Sequence, residues 1–139
     1  MEKHFDLTDP EFERKFENCS LDKDIFTHEA HLRLAWIHIK RYGQETAIQN
    51  ICGQLKKFAD FSGARDKYNE TLTIAAIKAV YHFIKRSNSD SFPEFINEFP
   101  RLKYNFKELI NFHYQVDVFR SREAKNKYLA PDLVPFDQD

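Results

Sequence analysis

Glycine is almost missing from this chain. Only Gly43, Gly53 and Gly63 occur in 139 residues, and the five prolines fall at 10, 93, 100, 131 and 135. In a helix interior glycine costs about 1 kcal/mol relative to alanine, and proline about 3 kcal/mol. Long stretches free of both, dense in Glu, Lys, Leu, Ile and Ala, therefore read as helix. The expectation is an all-α fold.

Hydrophobic spacing divides the chain into segments. Thr8-Asp9-Pro10-Glu11 reads as a helix start, with Asp9 as cap, Pro10 in the first helical position and Glu11 at the positive end. Phe12 and Phe16 give that helix a buried face, and it should end between Asn18 and Leu21. A second helix runs from a cap at Thr27 to Tyr42, with Gly43 as its stop. At about 100° per residue, Glu29, Arg33 and Lys40 form its wet strip. His28, Leu32, Ala35, Trp36 and Ile39 lie opposite, flanked by His31 and His38, and Ala30, Leu34 and Ile37 add a second apolar patch. Such a helix is central, so its histidines should border the core or lie in it.

Gly43 leaves only a tight link to a third helix, about 44–62, which should be an antiparallel neighbour of the second. Its Ile48, Ile51, Cys52, Leu55, Phe58 and Ala59 share one face. The fourth helix follows a cap at Asn69 and reaches about Arg86. Glu70, Ile74, Ile77, Tyr81 and Ile84 point inward with Thr73, Val80 and Phe83, while Thr71, Lys78, His82 and Lys85 point outward. Ser91 and Glu94 fit a capping box, Pro100 stops the short helix that follows, and another helical segment spans 106–118. Ser121 caps a brief turn to Tyr128. Prolines make 129–135 an extended tail whose Leu, Val and Phe136 pack on the body. The chain is thus expected to be a single domain, residues 1–139: a bundle of four main helices with short accessory helices and an extended C-terminal tail.

The 21 basic and 22 acidic residues leave a net charge of -1, which gives no electrostatic reason to expect nucleic acid. No apolar run nears the ~20 residues of a membrane span, and the charged start MEKHFDLTDPEFERKF is unlike a secretory signal. Cys19 and Cys52 are isolated, so reduced thiols and a cytoplasmic location are expected. HExxH, Glu-x-x-His, GxxxxGK[ST], GxGxxG and GxSxG are all absent. Zincin, ferritin-like di-iron, phosphate-loop and serine-hydrolase arrangements are therefore unsupported.

What remains is His28 and His31, three apart near a helix start and so on one side of it. One turn is about 5.4 Å, so the two rings can share a ligand, a proton or a metal. Together with Glu70 they form a donor set for a divalent transition metal such as Zn, Fe, Mn, Ni or Cu. Without metal the same groups suit general acid and base work. Phe26, Trp36, Tyr68 and Tyr81 would line an apolar pocket for a small-molecule ligand. The plainer reading is structural: Glu70 in the first turn after Asn69 suits the helix dipole regardless of any site. His4, His82 and His113 read as surface or local structural residues.

FTHEAHLRLAW, Tyr42-Gly43, Tyr68-Asn69-Glu70-Thr71-Leu72-Thr73 and the stretch Ser121 to Pro135 together resemble an uncharacterised family of small bacterial helical proteins. Its pattern is FTHxxHLxxAW, a YG helix end, a YHETLT segment, an S-x-x-A-[RK] stretch and a PDLxP tail, met here in order along most of the chain. The resemblance implies no reaction, but it marks His28, His31, Glu70 and Thr73, the last as a hydroxyl that would orient Glu70. It departs at Asn69, where the pattern has His. A lost ligand or base there would weaken metal binding or abolish activity, whereas a lost cap is well replaced by asparagine. The leading expectation is a small-molecule-binding protein or enzyme, with or without metal. The alternative is a non-catalytic interaction module, a homodimer included, whose aromatic surface binds another protein.

Overall fold

The computed structural model describes residues 1–136. Among them every regular element is helical: α1 Asp9–Glu17, α2 His28–Tyr42, α3 Gln44–Phe61, α4 Glu70–Ile84, α5 Phe92–Glu98, α6 Arg101–Tyr104, α7 Phe106–Asn111 and α8 Arg122–Asn126. Short 3-10 turns stand at Lys3–Asp6 and Arg65–Lys67. The fold is all-α, as the scarcity of glycine and the helical spacing predict. No helix among the described residues is long and apolar enough to cross a membrane. The chain divides into two compact units, Met1–Tyr68 and Asn69–Asp139.

In the first unit α1, α2 and α3 pack on one another around Phe12, Phe16, Leu32, Leu34, Ile37 and Phe58. The start of α1 differs from the expectation. Thr8, not Asp9, is the cap, and its side chain and that of Glu11 bond reciprocally to each other's backbone N–H. Asp9 is freed to bind Arg33. At the other end Cys19 adopts a left-handed φ of 61°, the conformation in which a helix commonly ends on glycine. Its N–H bonds to Phe16 O, the Ser20 N–H closes on Lys15 O, and the thiol is buried. Gly43 serves as the end of α2 and the start of α3 at φ 87°, which explains why the link between these packed helices is one residue long. Glu29 and Arg33 overturn the expected wet strip, because both are buried.

In the second unit α4 packs against α8, and Phe92, Phe95, Leu102, Ile110, Val118 and Ala124 of the same unit are buried. Thr71, expected to face water, is fully buried. Its hydroxyl donates to Lys127 O at 2.7 Å and accepts from the Leu129 N–H at 3.0 Å. Those bonds begin a strap, residues 127–136, that continues through Tyr114 Oη to Leu129 O and ends on buried Phe136. The tail therefore packs as expected, although Leu133 stays exposed. The helix expected over 106–118 stops at Asn111. His113 O, which a longer helix would use internally, instead accepts from the Leu133 N–H.

Candidate functional site

The residues singled out from the sequence fall in both units. His28 and His31 open α2 in the first, while Glu70 and Thr73 stand in the first turn of α4 in the second. Thr27 caps α2 by accepting from the Ala30 N–H at 3.2 Å. Both histidines are exposed, not core-facing as the periodicity predicts. The fully buried member of the stripe is His38. The apolar faces of α2 close on α1 and α3, while the His28 and His31 side chains stay outside that packing.

The His31 ring stacks on Phe26 with centroids 3.9 Å apart, and Phe26 in turn sits on Phe16 and Phe58. Loss of water around the imidazole pushes its pKa from 6.5 to about 4, and the nearby His28 adds to the effect. The positive end of α2 works in the same direction. The His31 side chain is exposed, and a neutral imidazole there can take a proton or a metal.

Glu70 is half-buried in the turn that Asn69 caps. The Asn69 side chain uses both ends: Oδ1 accepts from the Leu72 N–H at 2.9 Å, and Nδ2 donates to Val118 O at 2.8 Å. The Thr73 hydroxyl donates to Asn69 O at 2.7 Å. Its proton is therefore committed to the backbone and does not orient a carboxylate.

The densest polar cluster was missed in the sequence. His4, read as a surface or local residue, is fully buried, and its Nε2 lies 2.7 Å from Glu29 Oε1. Arg33 donates to His4 O, Leu7 O and Asp9, and its Nη1 stands 3.3 Å from His4 Nδ1. Its guanidinium also lies over the Phe12 ring at 4.9 Å. Thr27 Oγ1 donates to Glu2. The available signal was Glu29 and Arg33 at i and i+4, a spacing that looks the same on a solvated face. What buries them is the Lys3–Asp6 turn, which no periodicity places.

Glu2, His4 and Glu29 offer ligand atoms within 4.8 Å of one another, so their fit to a metal ion is a fair question. The proton inventory opposes it. Glu29 needs the His4 proton on Nε2, and Arg33 needs Nδ1 as acceptor. A metal on Nε2 would move the proton to Nδ1, against a guanidinium. Burial holds the His4 pKa below 6.5 despite Glu29, so the contact is a hydrogen bond from a neutral imidazole. The cluster is an internal brace that ties the N-terminal turn and α1 to α2.

No family model matches the chain, and searches of curated proteins and of solved structures gave no match.

Proposed function

We propose that this is a small-molecule-binding protein or enzyme whose working groups are the paired imidazoles of His28 and His31. One observation carries the reading: the His31 ring stacks on Phe26 beside His28, and both histidines are exposed. A neutral imidazole open to solvent accepts a proton from a substrate or coordinates a divalent transition metal such as Zn, Fe, Mn, Ni or Cu. The resemblance to the FTHxxHLxxAW pattern picks out the same two residues.

The test is elemental analysis of untagged protein, then titration with those five ions, against a His28→Ala, His31→Ala double variant. Both side chains are exposed, so the variant should fold as the parent does. Near-stoichiometric metal in the parent, lost in the variant, supports a metal-dependent site. No metal, no rise in Tm with any ion and no small ligand whose binding depends on the pair would overturn the proposal. A non-catalytic interaction module is the second reading. It is favoured by exposed Tyr104, Phe112 and Leu133 in the second unit.

A further inference from the structure

A cavity of about 370 Å³ opens in the second unit where the strap runs beside residues 114–116. Two ties pin these segments together: Tyr114 Oη donates to Leu129 O at 2.8 Å, and the Gln115 N–H donates to Asp132 Oδ1 at 2.9 Å. Tyr114, Val116, Tyr128, Leu129, Ala130 and Asp132 line the space. Its volume lies at the small end of the roughly 300–1,000 Å³ range of ligand pockets, so it suits a compact molecule.

The polar groups around the cavity decide what that molecule is. Three donors beside it are already spent. The Leu129 N–H goes to Thr71 Oγ1, the Gln115 N–H to Asp132, and the Tyr114 hydroxyl to Leu129 O. Acceptors are in surplus. An ionised carboxylate offers about four acceptor positions; Asp132 takes the Gln115 N–H, and no cation among the described residues pairs with it. Lys127, also on the rim, lies instead against Glu123 Oε1 at 3.9 Å. The Tyr128 and Asp132 side chains are close enough to act on the buried Tyr114 hydroxyl, so two phenols and the carboxylate lie near one another. Exposed Val116 adds apolar surface.

We propose that this cavity binds a small organic cation, a primary ammonium carried on an apolar body. The ammonium donates to Asp132 in a charge-assisted hydrogen bond, and the tyrosine rings attract the same charge through their π faces. Val116, Leu129 and Ala130 pack on the body. An anion would meet the Asp132 charge and donors already in use. Because the two ties hold the walls before a ligand arrives, little ordering is needed on binding. The cavity shares no residue with the His28 and His31 pair, so the two readings stand or fall separately.

Amide NMR titration of the full chain at pH 7 tests this with three compounds of similar shape: phenethylammonium, neutral phenethyl alcohol and the anion hydrocinnamate. Phenethylammonium should shift the Gln115 and Leu129 amides saturably. Its Kd should be roughly tenfold or more below that of the alcohol, as a hydrogen bond to a charged group requires, and hydrocinnamate should bind weakest. Asp132→Asn keeps an acceptor for the Gln115 N–H but not the charge, so it should bind the ammonium no better than the alcohol. Lys127→Met should bind the ammonium at least as tightly as the parent does. No saturable shift up to about 10 mM would overturn the proposal. So would equal binding of alcohol and ammonium, which marks a merely apolar groove, or tightest binding of the anion, lost in Lys127→Met. If Asp132→Asn does not fold, the ranking of the three compounds on the parent decides.

Discussion

Two buried histidines show how the same residue type carries different weight. His4 and His38 are both fully buried, but their surroundings differ. His4 joins Glu29 and Arg33, whereas His38 has only a long contact from Asn50 at 3.5 Å and leaves Nε2 without a hydrogen-bond partner. Removing one side of a buried polar pair strands the other, and removing an orphaned group relieves a cost. His4→Leu should therefore lower stability by about 3 kcal/mol, because Glu29 loses its histidine. His38→Leu should stay within about 1 kcal/mol of the parent. Urea unfolding of the two variants makes the comparison, and equal losses would contradict it. In the sequence His4 was indistinguishable from a surface residue, and His38 showed only as the flank of a stripe. Which nitrogen finds a partner depends on chain segments far away in sequence.

Among the elements, helix starts were the most legible feature. Thr27, Asn69, Ser91 and Ser121 each read as a cap, and each accepts the N–H three residues on. Capping is decided within four residues, so sequence reaches it. The error at Asp9 was local too: Thr8 followed by Glu11 is itself a capping-box pattern. Asn69 does more than cap, since its amide also ties α4 to Val118 O. Asn69→Ala should lower stability by about 1–2 kcal/mol, while Asn69→Asp, which keeps the acceptor and loses the donor, should lose about half as much. Thermal melts of both would show the order, and an alanine variant as stable as the parent would refute the double role. This gives position 69 a structural use that needs no ligand. The length of α7 was not legible, because its end depends on a strap residue twenty positions later in the chain.

For the whole molecule the histidines predict a direction of pH dependence. Burial lowers the folded pKa of His4, His31, His38 and His82 below 6.5. The unfolded chain then binds more protons than the folded one below that value, so stability falls as pH falls. Denaturation midpoints should be flat above about pH 7 and decline from 6.5 toward 4, the last being where His31 titrates in the folded state. Midpoints that rise on acidification would contradict the assignment. By itself the sequence determined the all-α class, the helix starts and the surplus of apolar faces, because these depend on backbone preference and spacing within a turn or two. Tertiary structure alone decided which polar groups go inside. The Lys3–Asp6 turn closes over Glu29 and Arg33, and the strap covers Thr71, whereas the His28 and His31 side chains, in the same turn as Glu29, stay exposed. A helix face is wet or dry according to what distant chain packs on it, and spacing along one helix contains no record of that partner.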